Sequence, residues 1–162
     1  LAEDLLEAGE QVAISVAFLE TGAALAAALT GRGWRAGTIN GTQSPETNEA
    51  VRVAFQRGEL DAVVFTVTES ISLHRNELPG GERPRSLIVH DMRHSAIQLS
   101  QIEGRCHRDG ERAAILFAYA EGTVEERVAA TVIARMAGMD RMAGEDTSLL
   151  DAIARIIDGE AE

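Results

Sequence analysis

Gln101-Ile102-Glu103-Gly104-Arg105-Cys106-His107-Arg108-Asp109-Gly110 stands between two apolar runs, Ser86–His90 and Ala113–Tyr119. Just upstream, Ser95-Ala96-Ile97-Gln98 is a capping box, a signature of helix starts. The block therefore reads as strand, helix, strand, with two arginines three residues apart where the helix ends. On a helix or its last turn, that spacing points both side chains the same way. A guanidinium is permanently charged, and its rigid fork of donors suits phosphate oxygens. Two of them on one element look like a device for a triphosphate transition state. They fit equally an exposed helix end that carries two surface cations, and spacing alone leaves both readings open.

Outward from this block, short apolar runs keep alternating with helix-period segments. Val12–Phe18 reads as a first buried strand, and the Ala/Leu-rich run from about Gly22 to Leu29 as its helix. Trp34–Ile39 is a second strand. Ser44-Pro45 places a capping residue and a first-turn proline before a helix through about Gln56, ended by Gly58. Ala62–Val67 is a third strand, and the polar stretch from Ser70 to Pro84, with Pro79-Gly80-Gly81, is a loop. Thr123-Val124-Glu125-Glu126 is a second capping box, opening a helix expected to run to about Met136. Met136–Asp146 reads as a mobile connector and Ser148–Ile157 as a final amphipathic helix. This alternation predicts an α/β fold, a mainly parallel sheet with helices on both faces. Residues 1–162 are expected to form one domain, with 137–162 as a C-terminal helical extension.

Hydrophobic residues make up 45% and charged residues 25% of the chain, as in ordinary globular domains. No apolar run approaches the roughly 18 to 20 residues that span a bilayer, and no signal peptide opens the chain. A single cysteine, Cys106, excludes an internal disulfide and fits a reducing cytoplasm. All 15 basic residues are arginine. A P-loop needs its lysine on the β- and γ-phosphates, so no G-x-x-x-x-G-K-[ST] occurs here. Net charge is −11, which argues against a freestanding nucleic-acid binder. Residues 75–112 nevertheless hold seven of the arginines against six acids, so positive charge gathers around the paired arginines.

Gln101-x-x-Gly104-Arg105-x-x-Arg108-x-Gly110 is similar to motif VI of superfamily 2 helicases and translocases. Gly122-Thr123-Val124-Glu125-Glu126-Arg127-Val128 resembles the segment that follows motif VI in Swi/Snf-type translocases. Ile71-Ser72-Leu73-His74, Ile88-Val89-His90 and Ala96-Ile97-Gln98 resemble strawberry-notch-like helicases of phages, bacteria and animals. The resemblance covers roughly Val12 to Arg141. It implies the second RecA-like lobe of a DNA helicase or translocase, in a three-layer sandwich, working in the cytoplasm of a bacterial or phage-infected cell. In such proteins ATP and Mg²⁺ are held mainly by an N-terminal RecA-like lobe, here expected upstream of Leu1. The chain alone is then expected to be inactive.

By that resemblance Arg108 is the arginine finger and Arg105 a second γ-phosphate contact. Gln101 links the nucleotide to the nucleic-acid side, and Gly104 allows close approach. In a doubly wound sheet ligands gather at the carboxyl ends of the strands. Asn40-Gly41-Thr42-Gln43-Ser44 follows the second strand and resembles a backbone-contacting segment, with Gly41 and Thr42 as phosphate partners; read by itself it is a turn and a helix cap. Thr66-Val67-Thr68-Glu69-Ser70, leading to His74, stands where motif V belongs. Thr66, Thr68, Ser70 and His74 are expected on nucleic acid. Related proteins carry small residues, often glycine, in the middle of that motif, and Glu69 would repel a phosphate.

His74, His90, His94 and His107 imitate a metal site, but His90 closes a strand and His94 lies in a loop, so helical ligand spacing does not apply. No metal is expected. Gly31-Arg32-Gly33-Trp34-Arg35-Ala36 imitates a dinucleotide fingerprint in reverse context, after a helix and before a strand. Two rivals remain. One is a non-catalytic nucleic-acid- or protein-binding module that keeps the lobe fold; the other is an unrelated nucleotide-binding α/β enzyme, which the missing P-loop and fingerprint disfavour.

Overall fold

A computed structural model describes residues 1–66, 71–91, 95–106, 113–120 and 122–143. Its elements run α1 (Ala2–Glu7), β1 (Gln11–Val16), α2 (Leu19–Gly31), β2 (Ala36–Ile39), α3 (Pro45–Gln56) and β3 (Ala62–Thr66), then β4 (Arg85–Val89), α4 (Ala96–Glu103), β5 (Ala114–Phe117) and α5 (Val124–Ala143). The five strands form an all-parallel sheet in the order β2-β3-β1-β4-β5.

Continuous apolar runs make these strands, because both faces of a parallel sheet are covered. Every residue of β1, β3 and β4 is buried. Register and parity show how. Val12 pairs with Ala62 and Ser86, so alternate residues of the three strands share a face. Gly22 of α2 lies against Val16 and Val64 on one face. On the other, Val51 of α3 lies against Gly37, and the Gln11 side chain reaches the carbonyl of Phe55. Helices α2 and α3 therefore cover opposite faces of the sheet, giving the three layers. This is the α/β sandwich of RecA-like helicase C-terminal lobes.

The chain divides into two compact units. One comprises Leu1–His90 and Ile102–Leu116; the other comprises Asp91–Gln101 and Phe117–Glu162. In the first, α3 starts as its sequence requires: Ser44 Oγ accepts from the Thr47 amide and Pro45 sits in the first turn. In the second, Thr123 Oγ1 accepts from the amide of Glu125, while Glu126 and Glu125 reach back to the amides of Gly122 and Ala120. The carboxylates thus cap the turn before the helix rather than Thr123 itself. Helix α5 does not stop near Met136 but continues to Ala143. Ala129, Val132, Ile133, Met136 and Ala137 are buried, and the helix runs on through Gly138, where an isolated glycine is tolerated. The final helix expected at Ser148–Ile157 lies outside the described residues.

Candidate functional site

The carboxyl edge of the sheet in the first unit brings together the loops after β1 and β2 and the end of β3. Thr38, Asn40, Val64 and Thr66 line one side of a small cleft, and Leu19 and Gly22 of α2 the other. Its volume is about 40 Å³, room for a few waters and not for a nucleotide. Thr66 closes β3 and is buried on the face covered by α2. Gly41 and Thr42 are exposed above it. Asn40 organises their loop: its Oδ1 accepts from the Thr42 amide at 3.0 Å and hydroxyl at 2.7 Å. Asn48 of α3 clamps the same residue, its Nδ2 donating to the Asn40 carbonyl and its Oδ1 accepting from the Asn40 amide. The rim thus presents a rigid polar turn followed by a capped helix start. Phe18, 66% exposed, stands beside it at the start of α2.

His74 does not join this rim. Its ring nitrogens face the Arg75 carbonyl at 2.9 Å and Glu77 at 3.5 Å. Its carbonyl accepts from Arg85, the first residue of β4, which places it at the amino end of the sheet. Thr68 and Ser70, together with Glu69, lie outside the described residues.

Gln101 lies in the last turn of α4 with its side chain exposed, and Gly104 follows, also exposed. Arg105 is half-buried in the turn after the helix, its amide bonded to the Ile102 carbonyl. Among the described residues its guanidinium makes one long hydrogen bond, 3.4 Å to the Ile71 carbonyl, and no ion pair. Among the described residues a carbonyl and no carboxylate holds this cation, which leaves it donors to spare. Arg108 and His107 lie outside the described residues, as does His94. No group of three or more His, Cys, Asp or Glu side chains stands together among the described residues.

Sequence reasoning passed over what sits beneath Arg105. Arg85 is 3% exposed, and its guanidinium lies 4.7 Å from the centre of the Phe55 ring. Its Nη1 donates to the carbonyls of Leu73 and His74, each at 2.5 Å, and to Gln56 Oε1 at 2.7 Å. Burial pushes its pKa down to about 10, which still leaves it charged at neutral pH. Gln56, fully buried, donates to the Ser72 carbonyl and to Glu77. The available signal was an arginine heading an otherwise apolar strand, Arg85-Ser86-Leu87-Ile88-Val89.

With this geometry in hand, solved structures place the chain among RecA-like folds. It is similar to the C-terminal part of the Fun30 ATPase domain, with 14% identity and a TM-score of 0.64 over 96% of this chain and 49% of that one. It is similar to the C-terminal domain of the DEAD-box protein Dbp5, with 14% identity and a TM-score of 0.58 over 98% and 89% of the two chains. Dbp5 of S. cerevisiae bound to RNA and ADP BeF3 gives 14% identity and a TM-score of 0.60 over 98% of this chain and 40% of that one. The chain thus spans about half the length of the Fun30 structure. No protein-family model and no curated protein sequence matches it. Among the described residues no helix is long and apolar enough to cross a membrane.

Proposed function

We propose that this chain is the second lobe of a superfamily 2 DNA helicase or translocase, on the strawberry-notch and Swi/Snf side of that group. It supplies Arg105 and Arg108 to ATP and Mg²⁺ held by an N-terminal lobe. The observation that carries this is Arg105 itself: a half-buried guanidinium at the end of α4, with no carboxylate partner among the described residues, in a helicase-lobe fold. Gln101 and Gly104 flank it as the resemblance requires. The polar turn at Gly41 and Thr42, with Thr66, Thr68 and Ser70, contacts the phosphates of a nucleic-acid strand. That Dbp5 of similar fold has been solved with RNA and ADP BeF3 supports a nucleotide and a nucleic acid on such a lobe. The lysine-free sequence supports assigning the P-loop half of the site elsewhere.

Two measurements test this. The purified chain should not hydrolyse ATP, and steady-state hydrolysis free of contaminants would end the two-lobe assignment. In the longer protein that carries an ATP-holding lobe, Arg108→Ala should abolish turnover and leave nucleotide binding largely intact. Residual turnover above about a tenth of wild type is incompatible with a finger worth 10³–10⁵.

The rival module, which binds without catalysis, draws on Glu69 in the middle of motif V. Folded Arg105→Ala and Arg108→Ala variants that keep both nucleic-acid binding and the turnover of the longer protein would favour it.

A further inference from the structure

We propose that Arg85, with Gln56, is the positioning residue for Arg105: it fixes the segment 71–74 against which Arg105 is seated. The inference rests on the reading of Arg105 as a phosphate contact, and everything it uses lies within one compact unit.

The segment is gripped from two sides. From below, Gln56 Nε2 holds the Ser72 carbonyl at 2.8 Å, and Arg85 Nη1 holds the carbonyls of Leu73 and His74. From above, the Leu73 amide donates to the Arg105 carbonyl at 2.7 Å, and the Ile71 carbonyl accepts from Arg105 Nη1 at 3.4 Å. Three successive carbonyls are therefore fixed by side chains of α3 and β4, and the groups facing the other way receive Arg105. The far end of the same loop is pinned too. Gly80 (φ +94°) packs so closely that an added Cβ would stand 2.5 Å from the Arg57 carbonyl oxygen, and one on Gly81 would stand 2.3 Å from that of Gln56.

Arg85 is an expensive way to fill this space. It is a buried cation, and no carboxylate among the described residues lies within ion-pair distance of it. Such a group costs free energy unless its donors are matched. An apolar side chain would fill the volume over Phe55 but could not meet two adjacent carbonyls and Gln56, as Arg85 Nη1 does; its Nη2 adds a bond to Gln11 at 3.3 Å, and its Nε has no partner among the described residues. Its carbonyl partners belong to the segment under Arg105, and its burial excludes any contact of its own with a ligand. Placement is the role left to it.

The test compares Arg85→Met, Arg85→Lys and Gln56→Met with wild type by amide hydrogen exchange on the folded chain. The readout is exchange at Leu73 relative to Val64 in the core of β3. In Arg85→Met, Leu73 should exchange at least about ten times faster while Val64 is unchanged, with Arg85→Lys between the two. In the ATP-hydrolysing protein that carries this lobe, kcat should fall about 10- to 100-fold with KM for ATP unchanged, as for a reacting group displaced by about an ångström, and Arg85→Lys should recover part of it. Leu73 exchange that matches wild type in Arg85→Met overturns the proposal. If Arg85→Met does not fold, Arg85→Lys and Gln56→Met are judged by the same criterion. Arg105→Ala separates the two readings. If it leaves turnover unchanged, the assigned function of Arg105 falls and the exchange data still decide the bracket. If it abolishes turnover while Arg85→Met changes neither kcat nor Leu73, the bracket is wrong and the function stands.

Discussion

The two edges of the sheet are built on opposite principles. At the amino edge charged side chains are spent on holding the chain. Asp61, at the start of β3, accepts from the Arg35 amide, from Arg35 Nε and Nη2 and from Arg83 Nη1, all within 3.0 Å. Arg83 also donates to the carbonyls of Gly9 and Glu10, tying β1 to the approach to β4. At the carboxyl edge the polar groups are exposed or only locally tied: Gly41, Thr42 and the start of α2. Ser15, buried near the end of β1, has a hydroxyl with no partner among the described residues. The amino edge uses its polar groups to hold the chain, and the carboxyl edge leaves most of them exposed.

On this footing, mutations should separate function from stability. The largest effect should come from Arg105→Ala in the two-lobed protein. Turnover should fall by 10² or more, against the 10³–10⁵ of a full finger, while the urea midpoint of the chain hardly moves. A large loss of stability would mean that Arg105 serves the fold rather than a ligand.

Gly80→Ala should cost about 3 kcal/mol or more in urea denaturation, because a positive φ and a backbone clash add together. Gly33→Ala is its control. Gly33 has a φ of +91° but open space around the added Cβ, so only the conformational cost of about 1 kcal/mol remains. Equal losses at both positions would show that the loop is not pinned at Gly80.

Asp61→Asn should cost about 2 to 3 kcal/mol at pH 7, the range for charged hydrogen bonds partly screened by water. The sign of its pH dependence follows from its partners. The Arg35 guanidinium, followed by Arg83, holds the Asp61 carboxyl well below its ordinary range. A depressed carboxylate stabilises the fold above its unfolded pKa, near 3.9, and that contribution drains away as pH falls toward the folded value. The gap between wild type and Asp61→Asn should therefore be full at pH 6 and shrink below about pH 4. A gap that stayed constant to pH 2 would remove the ionic account.

The smallest stability effects belong to the open edge. Thr42→Glu should change stability by less than about 0.5 kcal/mol and yet weaken binding of single- and double-stranded oligonucleotides at low salt, because it sets a carboxylate against phosphates. Binding that ignores this charge would place the nucleic-acid track on another surface.

What the sequence disclosed follows the range of the forces involved. The strands were legible because a parallel strand is buried on both faces, and Ala62–Thr66 stands within a residue of its expected limits. Ser44-Pro45 announced α3 because a cap is local chemistry. Helix α1 went unread: it has six residues and no side-chain cap. The rim residues Gly41, Thr42 and Thr66 could be named because each ends or follows a strand. The Arg85 hub could not, since it joins positions 11, 56, 73, 74 and 85, and no spacing rule links residues that far apart. For the same reason His74 was expected at the carboxyl rim when the chain in fact carries it back to the amino end. Arg108 and Ser70 lie outside the described residues.

Cys106 is the chain's sole thiol, 2% exposed, and burial pushes its pKa up to about 12. A buried, neutral thiol is inert toward alkylating reagents until its surroundings open. Since it is the immediate neighbour of Arg105, its modification rate is a clock for that opening. The clock needs no engineered label, and no lysine of this chain competes with it. Alkylation slowed by a nucleotide and a partner lobe would report that seating Arg105 on a phosphate quiets the turn around it. The chain therefore carries its own probe one residue from the arginine proposed to touch the phosphate.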